Sequence, residues 1–194
     1  MIRTAIAGNI ASGKSQVENI LINCGFKVID SDVVNQNLLY SDKIVINQIK
    51  SVFGTEIFDE KGKISKKKLG EIVFNSPEKK YLLENILHTK IYEEINRFFE
   101  KNKEEKVVFA SIPLLFEVNW EKNFDKIIFI SADENLRLER LMKRNNFSYD
   151  EAVKRINSQQ NEEEKIKKSD FVIYNNSDLK ELKKSVFDVI EKLI

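Results

Sequence analysis

With 194 residues, and 32 Lys and Arg against 31 Asp and Glu, the chain suits one compact, nearly neutral domain able to bury a core. That balance argues against a nucleic-acid or membrane surface, so local runs such as Lys66-Lys67-Lys68 read as solvated faces. A single cysteine, Cys24, excludes an internal disulfide and points to a reducing, cytoplasmic setting, while the opening residues do not read as a signal peptide and no apolar run reaches the ~20 residues of a membrane span.

The first predicted element is a short apolar strand, Ile2 to Ala7. It runs into Gly8-Asn9-Ile10-Ala11-Ser12-Gly13-Lys14-Ser15, which fits GxxxxGK followed by Ser or Thr, the phosphate-binding P-loop. Behind it Val17, Ile20, Leu21 and Cys24 recur at helical spacing, so the loop opens a helix and Cys24 is expected on its apolar face. Backbone N–H groups of Gly8, Ala11, Ser12, Gly13 and their neighbours can turn inward around phosphate oxygens, and the helix N-terminus adds unsatisfied donors. Lys14 can reach the β- and γ-phosphates and the Ser15 hydroxyl a Mg²⁺ ion. Four fixed positions match by chance in well under one chain in about a hundred of this size. The motif therefore indicates a nucleoside triphosphate ligand.

A second strand, Phe26 to Asp30, closes on Asp30-Ser31-Asp32. Residues 33–52 read as one helix, broken at Phe53-Gly54 by a loop running through Gly62. In that loop Asp59-Glu60-Lys61-Gly62 matches a GTPase DxxG pattern but lacks a partner motif, and it reads as a turn. Lys66 to Phe74 is a short helix. Ser76-Pro77 then caps and starts a long one, with an apolar stripe of Leu82, Leu83, Ile86, Leu87, Ile91, Ile95, Phe98 and Phe99. Val107–Ala110 and Lys126–Ile130 are the third and fourth strands, 133–144 and 149–168 are helices, Phe171–Tyr174 is the fifth strand and 178–193 a closing helix. Short apolar strands alternating with helices predict an α/β fold, a parallel five-stranded sheet with helices on both faces. Ligands of such sheets bind beyond the strands' carboxyl ends, where Gly8, Asp30, Asp32, Ser111, Pro113 and Asn175 fall.

Phosphoryl transfer to a hydroxyl calls for a carboxylate near the acceptor. Asp30 and Asp32 both qualify, and both also suit helix capping. Arg137, Arg140 and Arg144 lie at i, i+3, i+7 with Lys143 beside them: either a cationic cover for a triphosphate or a solvated basic face tempered by Glu134 and Glu139. His88, the single histidine, sits at the edge of the long helix's stripe, and neither it nor Cys24 has a second metal ligand at useful spacing.

With these residues in place, the chain resembles the dephospho-coenzyme A kinase family of the P-loop nucleotide-kinase group, from the first strand to about Asn176. The family's Asp-Ala-Asp appears as Asp30-Ser31-Asp32, its Phe-Gly loop as Phe53-Gly54 with Gly62, its Leu-x-x-x-x-Phe as Leu69 to Phe74 and its Leu-His-Pro as Leu87-His88-Thr89. Its Pro-Leu-Leu-Phe-Glu is intact at Pro113-Leu114-Leu115-Phe116-Glu117. Arg140 and Arg144 match the lid's Arg-x-x-x-Arg, Arg155-Ile156 with Gln159 its Arg-Ile-x-x-Gln, and Ser169 to Asn175 its last strand. Asn9, Ala11 and Gln16 replace two glycines and a threonine of the usual loop, Ser111 an acidic residue of the third strand, Lys66 an arginine and Thr89 a proline. The loop is expected to keep its shape provided Ala11 retains negative φ.

The resemblance implies an ATP-dependent kinase using Mg²⁺, phosphorylating the ribose 3′-hydroxyl of dephospho-coenzyme A in the last step of coenzyme A synthesis. It implies that Gly8, Ala11, Ser12, Gly13, Lys14, Ser15, Gln16, Arg140, Arg144 and Asn175 hold ATP, with Asn175 near the adenine and Ser15 on the metal. Asp32, Lys14 and Arg140 would be catalytic. Asp32, His88 and Pro113, Leu114, Leu115, Phe116 and Glu117 would line the acceptor site, with a helical insertion at about 53–100 and a lid at about 137–160. The expected partners are these small molecules, with no nucleic acid or membrane, and a monomer suffices. Another small-molecule P-loop kinase and a non-catalytic nucleotide-binding regulator remain the competing readings.

Overall fold

A computed structural model describes all residues 1–194. The elements run β1 (Ile2–Gly8), α1 (Lys14–Asn23), β2 (Lys27–Asp30), α2 (Ser31–Ser41), α3 (Lys43–Phe53), α4 (Lys66–Phe74), α5 (Pro77–Lys101), β3 (Val107–Ser111), β4 (Lys126–Ser131), α6 (Glu134–Asn145), α7 (Tyr149–Asn157), α8 (Glu162–Lys167), β5 (Phe171–Tyr174) and α9 (Leu179–Leu193). The chain divides into two compact units, residues 1–30 with 102–194, and residues 31–101.

The first unit is built on a wholly parallel sheet of order β2-β3-β1-β4-β5. Strands of this kind are buried on both faces, which is why they read as continuous apolar runs rather than alternations. Ile6, Phe109, Ile128, Ile130 and Ile173 point into one core with Val17, Ile20 and Leu21 of α1 and Leu182, Val186 and Ile190 of α9. Ala5, Ala7, Val108, Ala110 and Phe129, of opposite pleat, are fully buried too. β1 is central. The chain leaving it runs to β2 at one edge, and the chain leaving β3 crosses to β4 on the other side, so their carboxyl ends flank the crevice where such sheets take ligands.

In the second unit, α2, α3 and α4 pack on α5, whose inner stripe is Leu87, Ile91, Ile95 and Phe99. Leu82, expected in that stripe, is exposed near the amino end of α5. Residues 33–52 form two helices rather than one. Asp42 adopts an extended backbone and its side chain accepts from the Ile44 and Val45 N–H groups, starting α3 anew. Likewise 149–168 is two helices, α7 and α8: α7 begins with a capping box between Ser148 and Glu151, and Asn161 restarts the chain by accepting from Glu163 N–H. Cys24 is exposed at the C-cap of α1 instead of on its apolar face. The Asp59 to Gly62 segment is a turn, with Asp59 Oδ1 accepting from the Lys61 and Lys63 N–H groups, each at 2.9 Å.

Candidate active site

β1 ends against β4, where Gly8 pairs with Ile130. A Cβ on Gly8 would lie 2.8 Å from the Ile130 carbonyl oxygen and 2.7 Å from Ser12 Oγ, so only glycine lets the loop leave here. The loop re-enters α1 through Gly13 at φ 96, with no side chain capping the helix. Gln16 N–H already donates to Gly13 O at 2.9 Å, so the N–H groups of Lys14 and Ser15 are the ones of the first turn left for an anion. Behind them stands Asn175, buried at the end of β5, whose Nδ2 donates to Ser12 O at 2.8 Å and to Gln16 Oε1 at 3.2 Å. A Cβ on Gly13 would be 2.0 Å from that nitrogen. Asn175 thus braces the loop from behind, with its amide N–H groups committed to the loop.

Ala11 does not keep negative φ. It sits at φ 61, in the left-handed region that costs a non-glycine residue ~1–2 kcal/mol. Packing holds it there: Ala11 and Ile10 lie against the cluster of Leu138, Leu141, Ala152 and Ile156 on α6 and α7.

Lys14, whose side chain is 13% exposed, donates from Nζ to Glu18 Oε1 at 2.7 Å and to Ser111 Oγ at 2.5 Å. The Ser111 hydroxyl in turn donates to Glu18 Oε1 at 2.6 Å. The three groups close a triangle at the mouth of the crevice, spanning α1 and the end of β3. Glu18 escaped the reading of the sequence, although a signal was present. It lies at i+4 from Lys14 and beside Val17 and Leu21, so it is a charge on the buried side of a helix, which needs a partner. Asp30, half-buried at the end of β2, pairs in register with Ser111.

The three arginines of α6 do not act as a set. Arg137 is buried; it donates from Nε to Ile10 O at 3.1 Å, from one terminal nitrogen to Glu162 Oε2 at 2.9 Å and from the other to Gln159 Oε1 at 3.5 Å. Burial lowers its pKa from the ordinary arginine value, opposed by the charges of Glu162 and Glu134. Arg140 flanks the loop, donating to Asn175 O at 2.9 Å and Ala11 O at 3.5 Å. Arg144 is exposed and donates to Asn145 Oδ1. Gln159 Oε1 also accepts from Ile10 N–H at 2.8 Å, so the two roots of the segment 137–160 are pinned to both sides of one residue of the P-loop.

Asn9 is a buried hub. Its Nδ2 donates to Glu162 Oε2 at 2.7 Å and its Oδ1 accepts from Lys165 Nζ at 3.0 Å. Lys165 Nζ continues to Glu117 Oε1 at 2.6 Å, and Glu162 Oε1 accepts from Ser131 Oγ at 2.5 Å. Glu117 is therefore held in the network behind the P-loop. Leu115 and Phe116, expected to line an acceptor site, instead belong to the core, with Phe116 edge-on to Phe129 at 6.2 Å. Apolar side chains following a buried strand are drawn under the sheet. Pro113 and Leu114 stay at the surface, Leu114 being 51% exposed. In the other unit, Asp32 is exposed in the first turn of α2 and His88 is half-buried on α5.

The sequence matches the family model described as dephospho-CoA kinase over residues 2–181. A Listeria innocua protein named dephospho-CoA kinase is 39% identical over 193 residues, covering 97% of this chain and 96% of its own. A dephospho-CoA kinase structure from Campylobacter jejuni matches with a TM-score of 0.74 at 35% identity, covering 98% of this chain and 96% of that one. A crystal structure from Thermus thermophilus matches with a TM-score of 0.83 at 29% identity, over 100% and 98% of the two chains.

Proposed function

Because this chain belongs to the dephospho-CoA kinase family, we propose that it transfers the γ-phosphoryl group of ATP to the ribose 3′-hydroxyl of dephospho-coenzyme A, releasing ADP and coenzyme A. The observation that carries the reading is the P-loop at the sheet's crevice, with an uncapped helix N-terminus and Lys14 at its mouth. Gly8 and the loop from Ala11 to Gln16 take the phosphates. Lys14 balances charge on the β- and γ-phosphates as the bond to the leaving oxygen lengthens. Arg140, already against the loop, adds a second cation, and Arg144 a third when the tip of the lid closes. Asn175 holds the loop's shape and borders the nucleotide side.

No trio of His, Cys, Asp or Glu side chains forms a metal-holding cluster. The exposed Ser15 hydroxyl, a hard oxygen donor, would hold Mg²⁺, and the ion would supply further neutralisation of phosphate charge. Asp32 accepts the proton of the 3′-hydroxyl, raising the nucleophilicity of the attacking oxygen. The acceptor is assigned to the helical region of about 53–100, with His88.

The test is ADP release with and without dephospho-coenzyme A, and the position of the new phosphate in the product. ADP formation that depends on dephospho-coenzyme A and yields the 3′-phosphate is expected. Turnover with nucleosides or nucleotides alone would identify a different kinase, and tight nucleotide binding without turnover a regulator.

A further inference from the structure

Glu18 takes no part in the phosphoryl transfer described above, yet its carboxylate is ion-paired with the functional ammonium of Lys14 at 2.7 Å. We propose that Glu18 is a positioning residue acting through Lys14: its carboxylate is the counter-ion that an incoming triphosphate must displace, so Glu18 and the nucleotide compete for one cation. The proposal rests on the reading of Lys14 as the phosphate-binding lysine.

Two observations separate this from an ordinary i,i+4 pair on a helix surface. First, the side chains are 13% and 9% exposed, so neither water nor salt screens them effectively. Second, the same carboxylate oxygen also accepts from the Ser111 hydroxyl at 2.6 Å, and that hydroxyl accepts from Lys14. Glu18 is fixed across the crevice to β3 and cannot simply swing away with its helix. When phosphates take Lys14, Glu18 is left with Ser111 as its remaining donor. A buried carboxylate short of a cation opposes that state, and the opposition is subtracted from nucleotide affinity. A pair serving only helix stability would leave affinity unchanged when neutralised.

The experiment is equilibrium titration of the full chain with ATP in the presence of a chelator, so that no divalent ion contributes. Glu18→Gln keeps shape and an oxygen that can accept from both partners, and removes only the charge. It should bind metal-free ATP about tenfold more tightly than the native chain. Ser111→Ala should shift affinity the other way, several-fold weaker, because the displaced carboxylate then has no donor. Combining the two should restore affinity close to that of Glu18→Gln, a non-additivity expected of groups in direct contact. A folded Glu18→Gln protein binding no more tightly than native overturns the proposal; should that variant not fold, Ser111→Ala binding as well as native does so. A native chain that fails to bind ATP at all sinks the reading of Lys14 instead.

Discussion

Residues 1–30 with 102–194 bury nine polar or charged side chains, Thr4, Asn9, Ser12, Glu18, Ser111, Ser131, Arg137, Lys165 and Asn175, whereas residues 31–101 bury one, Ser31, at their first position. The helical unit is instead held by apolar side chains such as Val45, Ile49, Phe53, Leu87, Ile95 and Phe99. The difference teaches what each unit is for. Fixing a loop that must receive a polyanion requires directional bonds, which Asn9, Arg137 and Asn175 make, and burial makes each of those bonds hard to replace. Helices packed by apolar stripes tolerate exchange of one hydrophobic residue for another. Damage in the first unit should therefore appear as lost chemistry or stability, and in the second mainly where a side chain meets substrate.

The largest expected effect tests that exception. Asp32→Asn, in the helical unit, should lower kcat by ~10²–10⁴ and leave ATP affinity within a few-fold, because an amide cannot take the proton we assign to Asp32. Asp30→Asn should cost less; the reverse order would move the base to the end of β2, and two active variants would remove the carboxylate from the mechanism. Lys14→Ala comes next, with ~10²–10³ lost in turnover; a variant keeping more than about a tenth of native kcat would show that Lys14 does not serve the phosphates.

Stability sharpens the contrast further. Arg137→Ala should destabilise the chain by about 2–3 kcal/mol in urea unfolding, short of the value for a fully buried pair because Glu162 is a quarter exposed. Phe74→Ser, at an 89% exposed position of the helical unit, should change it by less than about 0.5 kcal/mol. Equal costs would erase the distinction between the units. Ala11→Gly should stabilise by up to about 1 kcal/mol, since relief of the left-handed backbone outweighs the added freedom of the unfolded chain. A lower melting temperature would mean that the Ala11 methyl's packing on α6 and α7 matters more than the strain.

The smallest effect lies at the tip of the segment 137–160, the proposed lid. Hydrogen bonds from the Ser148 N–H and hydroxyl hold the Glu151 carboxyl below its ordinary value of 4.5, with Arg155 and Lys154 assisting. A lowered folded-state pKa means that the capping contribution is fully present above about 4.5 and is lost as pH falls through the lower folded value. The difference in melting temperature between native and Glu151→Gln should therefore shrink on acidification, and a difference constant with pH would place no ionisation at this cap. Hydrogen exchange adds a related check. The roots at Arg137 and Gln159 should be protected with or without nucleotide, while residues about 143–154 should gain protection on binding an ATP analogue.

By itself the sequence determined the five strands, the P-loop, the parallel α/β architecture and the family, because these depend on local apolar runs and on spacings within a few residues. The start of α5 at Ser76-Pro77 was legible for the same reason. The splits at Asp42 and before Asn161 lay within reach of capping chemistry, but apolar periodicity across them outweighed two polar residues. Tertiary structure alone decided which arginine serves the loop and which the framework, since Arg137, Arg140 and Arg144 share a face yet meet different partners. It alone buried Leu115 and Phe116, and it alone assembled Glu18 with Ser111, 93 residues away, and Asn9 with Glu162, 153 residues away. Even Ala11, whose own preference is negative φ, takes the conformation that its neighbours impose. Local patterns record what a segment can bury, whereas the partner of a buried charge is set by strand order and register, which bring distant residues to one end of the sheet.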